Sequence, residues 1–231
     1  MFFFHQVSRE YDPLSCWECD WIQTERFKER ILEFKKKFTF ISIEDARQKL
    51  RKDFFRFRRY AVLTADDGYQ SVLNVLPWLE EQKIPVTLFI NSKYLDRQSW
   101  SAINEEQARR VKKDVDMLKE VCPRLYLSRD ELFSLTSPLI SIGLHGHEHL
   151  DSAKMTLPEF CNNLNRNIVS LRLHPRYIGY FAYPWGHKSL ATDQAVFNMG
   201  LVPVYTNGSA NFHKGEAINR MYLMQDVKLL F

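Results

Sequence analysis

Three polar clusters in this 231-residue chain have residue types that do chemistry. The first is Asp66-Asp67-Gly68, directly after the apolar run Tyr60-Ala-Val-Leu-Thr64. Adjacent carboxylates at a strand end point different ways, so one can hold a cation while the other handles a proton. Gly68 permits a tight turn there. The same residues also suit an ordinary turn that caps a helix. The second cluster is His145-Gly146-His147-Glu148-His149. On a helix, His145 and His149 share a face at i, i+4 and can grip one metal ion; on a strand, all three histidines share a face. Neutral imidazole is a common ligand of divalent transition ions. The metalloprotease pattern needs Glu directly after the first His, and Gly146 stands there instead. The third cluster, Phe181-Ala-Tyr-Pro-Trp-Gly186, can wall a ring-shaped ligand such as a sugar, or form a structural turn.

The elements that must position these clusters alternate between short apolar runs and longer helical patterns, which predicts an α/β chain. Strands are expected over Phe2–Val7, Phe38–Ile43, Tyr60–Thr64, Ile84–Ile90, Leu139–Leu144, Tyr177–Tyr183, Leu201–Thr206 and Ile218–Leu223. Helical spacing recurs at Phe27, Ile31, Leu32 and Phe34, from Ser42 or Glu44 to Leu50, around Ser71–Gln82, from Ser101 to Val121, and from Ser128. Thr156-Leu-Pro-Glu159 has the form of a capping box, and Phe160, Leu164, Ile168 and Leu171 then mark a buried face. All three polar clusters follow strands. In barrels of alternating strands and helices the strand ends hold the chemistry. The expected fold is therefore a parallel β/α barrel of seven or eight strands, regular or irregular, as one domain over 1–231, with an open doubly wound sheet as the alternative.

Composition narrows the function. Hydrophobic residues make up 45% and charged residues 26%, a soluble globular mix. No apolar run approaches the ~18 residues of a membrane span. The first residues have neither a basic region nor a long apolar core, so no signal peptide is expected and a cytoplasmic location is the reading. A net charge of +4 is too small to argue for nucleic acid. Cys16, Cys19, Cys122 and Cys161 do not make a disulfide scaffold; Cys16 and Cys19 have metal or redox spacing but lack a second pair, so reduced thiols are expected. The segment Arg51–Tyr60 interleaves five basic residues with aromatics, and reads as a solvated helix end entering a strand rather than a surface for a polyanion or membrane. Composition gives no oligomeric state.

Taken together, Thr64-Ala-Asp-Asp-Gly68, His145-Gly-His-Glu-His149 and Phe181-Ala-Tyr-Pro-Trp-Gly186 resemble the polysaccharide deacetylases (carbohydrate esterase family 4, NodB-like) in order and approximate spacing. The flanks Phe4-His-Gln-Val7, Ile84-Pro-Val-Thr-Leu-Phe89 and Ile142-Gly-Leu-His145 agree, so the resemblance spans nearly the whole chain. It implies a distorted β/α barrel and a metal-dependent hydrolase that removes acetyl groups, N-acetyl first, from a glycan or sugar precursor by breaking a C–N bond other than a peptide bond. Asp67, His145 and His149 would be the metal ligands. Zinc is the first choice of ion, and cobalt, nickel, manganese or iron also suit the site. Asp66 would be the base for attack by metal-activated water. The Trp185 backbone N–H would bind the oxyanion, and Tyr183, Pro184 and Trp185 would line the substrate site.

The chain also departs from the family pattern. Ala65 replaces a usual Phe. Ala182 stands where many members place an arginine that orients the base, and Arg220, on the last expected strand, is the candidate substitute. The motifs that usually supply the acid are missing, which leaves His5, His187, His213 or Asp66 itself to protonate the leaving nitrogen. Two other readings follow: an amidase on a small non-sugar substrate, and a catalytically weak member that binds glycan.

Overall fold

The computed structural model describes residues 1–9, 21–51, 59–96, 125–206 and 217–224. The chain enters with β1 (Phe2–Phe4), β2 (Gln6–Ser8), β3 (Trp21–Gln23) and α1 (Thr24–Lys35), then β4 (Thr39–Phe40), α2 (Ile43–Arg51), β5 (Tyr60–Ala61) and β6 (Leu63–Ala65). It continues through α3 (Leu76–Glu81), β7 (Val86–Ile90), α4 (Arg129–Ser134), β8 (Ile140–Leu144), α5 (Leu157–Leu171) and β9 (Tyr177–Ala182). The last described elements are α6 (Leu190–Asn198), β10 (Val202–Tyr205), β11 (Ile218–Asn219) and β12 (Met221–Tyr222).

Eight strands form one sheet in the order β11-β10-β9-β8-β7-β6-β1-β12, and every pair is parallel. The two edge strands are consecutive pieces of one stretch, parted only by Arg220. Ile218 and Asn219 pair with β10, whereas Met221 and Tyr222 pair with β1. That broken last strand joins the two edges, so the sheet is a nearly closed, distorted α/β barrel. β2–β3 and β4–β5 form two small parallel sheets beside it.

The two-residue strand period divides the core in two. Leu63, Ala65, Leu88, Ile90, Ile142, Leu144 and Phe181 pack outward against helix residues that include Phe27, Ile31, Phe34, Phe160 and Leu164. Val62, Phe89, Tyr180, Ala182, Val204 and Ile218 form a second, inner cluster, joined by Ile43 and Ala46 of α2. Strands buried on both faces explain why β7 and β8 read as continuous apolar runs. α5 starts as expected: the Glu159 carboxylate accepts from the Thr156 N–H and hydroxyl. Among the described residues, no helix is long and apolar enough to cross a membrane.

Some boundaries differ from expectation. The strand expected over Phe2–Val7 breaks at His5, so that β1 joins the barrel while β2 leaves it to pair with β3. The strand expected from Phe38 to Ile43 is only Thr39–Phe40, and Ile43 already belongs to α2. The Ser42 hydroxyl takes the Asp45 N–H there, which starts the helix early. The helix expected over Ser71–Gln82 is a 3-10 turn at Gln70–Asn74 followed by α3. Pro77 has no N–H to donate and so sits in the first turn of an α-helix rather than inside a continuous one. The helix expected at 101–121, Cys16, Cys19, Cys122, His213 and most of the basic segment after Arg51 lie outside the described residues.

Candidate metal centre

β6 ends at Ala65, and the backbone then turns through two left-handed residues, Asp67 at φ 72° and Gly68 at φ 80°. Asp tolerates this region better than most residues, and Gly occupies it freely. The turn sends the two carboxylates apart, as their adjacency predicted. Asp66 meets Arg220, and Asp67 meets the histidines.

His145 follows β8 directly, and His149 lies four residues on in a segment that is neither helix nor strand. Gly146 turns it with φ 82°. The Asp67 Oδ1 atom lies 3.1 Å from His145 Nε2 and 3.3 Å from His149 Nε2. The three side chains hold one donor atom each within 4.8 Å of one another. His147 points elsewhere, with Nδ1 3.0 Å from the Ser92 hydroxyl.

Protonation shows what this cluster fits. His145 Nδ1 lies 2.8 Å from the Ala182 carbonyl, which can only accept, so Nδ1 carries the proton. That leaves Nε2 to face the buried Asp67 Oδ1, with a lone pair to offer whenever it holds no proton. Two electron-rich atoms in contact need positive charge between them, which a proton on Nε2 or a bound cation supplies. Bonds of 2.0–2.1 Å at tetrahedral angles put zinc ligands roughly 3.3 Å apart, close to both Asp67–histidine distances. Burial also pushes the His149 pKa down to about 4, against the pull of Asp67, so at neutral pH its ring is uncharged. One carboxylate and two imidazoles suit a divalent ion and leave room for further ligands.

Asp66 is bound in a fork. Arg220 Nη1 donates to its Oδ1 at 2.6 Å, and Nη2 donates to Oδ2 at 2.8 Å. Nη1 also donates to the Thr64 hydroxyl at 2.9 Å. The guanidinium is fully buried, and its carbon lies 5.1 Å from the Phe3 ring centroid and 5.0 Å from that of Phe89. Phe89 can lie there because Gly143 has no side chain: a Cβ at that position would meet the ring at 2.5 Å. Burial opposes the Asp66 charge, but the Arg220 guanidinium outweighs it and holds the carboxyl below its usual range. Ala182, where the family's usual arginine would stand, packs in the same inner cluster as Phe89.

The aromatic cluster divides by strand alternation. Trp185 is 45% exposed, and its ring meets His149 edge-on at 4.8 Å. It sits at φ 60°, unusual for a bulky residue. Tyr183 and Pro184 are buried. The Tyr183 hydroxyl donates to Asp193, as does that of Tyr205. Burial pushes the Tyr183 hydroxyl pKa far up. His5 sits at the break between β1 and β2, and its charge bears on both Asp66 and Asp67. His187 is exposed, with Nδ1 3.0 Å from Asp151. Three residues that motif reading passed over also bear on the site: Asn91, Asn163 and Asn167 hold the histidine segment by its backbone. For Asn163 and Asn167 the signal was a pair of asparagines at i, i+4 next to the apolar stripe of α5; Asn91, just after β7, carried none.

The polysaccharide deacetylase model matches residues 57–204, so the chain belongs to the polysaccharide deacetylase family, a family of carbohydrate deacetylases. The fold is shared with IcaB from Ammonifex degensii (18% identity, 96% of this chain and 94% of that one, TM-score 0.72). It is also shared with the Streptococcus pyogenes deacetylase PplD, solved with acetate (16%, 96% and 90%, 0.71). A de-N-acetylase from Aggregatibacter actinomycetemcomitans is similar too (13%, 99% and 97%, 0.68). A sequence search of curated proteins finds no significant match.

Proposed function

We propose that the chain is a metal-dependent hydrolase that removes N-acetyl groups from a carbohydrate. The observation that carries this reading is the convergence of Asp67 Oδ1 with Nε2 of His145 at 3.1 Å and Nε2 of His149 at 3.3 Å. Asp67, His145 and His149 would hold the divalent ion, zinc first, and when bound it would polarise the acetyl carbonyl and acidify water. The name of the Aggregatibacter relative supports an amide as the bond broken.

The remaining work falls to this chain's own residues. Asp66 takes a proton from water as the water oxygen bonds to the acetyl carbon. Both its oxygens already accept from Arg220, yet each keeps a second lone pair for this task. Arg220 keeps the carboxylate ionised, and so supports a working base despite Ala182. The Trp185 N–H donates to the carbonyl oxygen as negative charge builds there. The C–N bond then breaks, the nitrogen takes the proton from Asp66, and acetate leaves. His5, close enough to influence both carboxylates, is the second titratable group for that transfer.

The test is acetate release. Metal-loaded protein is incubated with N-acetylated glycans, nucleotide sugars and small non-sugar amides. Release from the sugars, abolished by Asp66→Asn, is the expected result. Turnover of the small amides alone would replace the carbohydrate reading with an amidase, and no release from any substrate by zinc-loaded protein would contradict both.

A further inference from the structure

α5 packs its apolar stripe of Phe160, Leu164 and Leu171 against the barrel. The same face also buries Asn167 completely. An unpaired buried amide costs about 1–3 kcal/mol, and asparagine is a poor helix former. Every polar atom of this one is used. Its Oδ1 accepts from the His145 N–H at 3.0 Å, while Nδ2 donates to the Ile90 carbonyl at 3.1 Å and the Ser92 hydroxyl at 3.0 Å.

One helical turn earlier, Asn163 does the same for the next residues. Its Oδ1 accepts from the His147 N–H at 2.8 Å, and Nδ2 donates to the Glu148 carbonyl at 3.3 Å. From β7's end, Asn91 Nδ2 donates to the carbonyls of His145 and Gly146. Three side-chain amides thus bond the backbone of four consecutive residues, 145–148. Gly146 is part of the fit, because a Cβ there would meet Asn163 Oδ1 at 2.9 Å.

Residues four apart converge in a helix because the helix's own hydrogen bonds hold them. His145 and His149 are four apart in a segment without that ladder. We infer that Asn163 and Asn167, with Asn91, are positioning residues that replace the missing ladder and set the affinity of the histidine pair for its ion. This rests on the reading of Asp67, His145 and His149 as a cation site. None of the hydrogen bonds named for the three asparagines reaches a donor atom of that site, so they act through the backbone only.

The experiment measures zinc affinity by competition with a chromophoric chelator, alongside the melting temperature with and without zinc. Asn163→Ala and Asn167→Ala should each weaken zinc binding by about tenfold, the usual scale for residues that orient metal ligands, and should shrink the zinc-induced rise in melting temperature. Asn163→Asp keeps the acceptor for His147 N–H and loses the donor, so its affinity should fall between. Asn165→Ala, exposed on the same helix, should bind like the parent. Asn163 is half-buried and decides the matter if Asn167→Ala does not fold. A folded Asn163→Ala protein that binds zinc as tightly as the parent overturns the inference and leaves the cation site standing. A parent that binds no zinc overturns both.

Discussion

Replacing Arg220 is the most informative perturbation of the base. Arg220→Ala would strip Asp66 of both forked bonds, Thr64 of a third, and leave a carboxylate about 5% exposed without a counter-charge. Breaking a buried pair from one side costs about 3–5 kcal/mol. In a chain of this size each kcal/mol lowers Tm by roughly 2–4 °C, so the loss should be about 6–20 °C. On activity, two charge-assisted bonds at the lower figure of about 1.5 kcal/mol each correspond to roughly a hundredfold in kcat/KM. Arg220→Lys is the gentler probe, since it keeps the charge and loses the fork. Because the guanidinium lowers the Asp66 pKa, its loss moves that pKa up, and the acid limb of the kcat/KM profile must move to higher pH. Placing arginine at the family's usual position, in Ala182→Arg/Arg220→Ala, should restore part of the rate. The assay is acetate release from pH 4.5 to 9, with zinc content checked in each variant. A folded Arg220→Lys protein with parental kcat/KM and an unmoved acid limb would refute the role assigned to this residue.

Three further outcomes are expected. Gly143→Ala drives a methyl into the Phe89 ring, which should cost about 1–3 kcal/mol in urea unfolding and lower kcat/KM by disturbing the ring beside Arg220; parental values would show that this packing is slack. In metal-free protein, His149 titrates near 4 when folded against about 6.5 when unfolded. The unfolded chain therefore binds more protons between those values, and stability present above pH 6.5 is lost as pH falls toward 4, by up to about 3 kcal/mol; urea midpoints of His149→Gln should fall less over that range, and an equal fall would disprove the assignment. Tyr183→Phe removes one bond to Asp193 and should cost about 1 kcal/mol while leaving KM unchanged; a large rise in KM would return Tyr183 to the substrate site.

Much of this was legible in short-range pattern. The capping box at Thr156, the apolar runs of β7 and β8, and the residue types at 67, 145 and 149 stand in the sequence as they stand in space. Arg220 was legible as a candidate substitute for the family's arginine, from its place on the last expected strand; the fork it makes to Asp66 bridges 154 positions and depends on barrel closure. For Tyr183, expected at the substrate site, the strand pattern shows which way the side chain packs. β9 alternates, with Tyr180 and Ala182 in the inner cluster and Phe181 and Tyr183 in the outer one, so Tyr183 packs toward the helices. Ile168 was expected on the buried face of α5, but it is only half-buried while Asn167 is fully so. A polar residue wins a core position only when tertiary partners use all its bonds, and those partners, at 90, 92 and 145, are distant in the chain.

The central claim is that one carboxylate and two imidazoles share a divalent ion. Anomalous diffraction at the zinc edge, from crystals of the zinc-loaded protein, tests it most directly. A single strong peak within bonding distance of Asp67, His145 Nε2 and His149 Nε2, absent from Asp67→Ala crystals, is the predicted result. Zinc bound elsewhere, with these three side chains bonded only to one another, would contradict it.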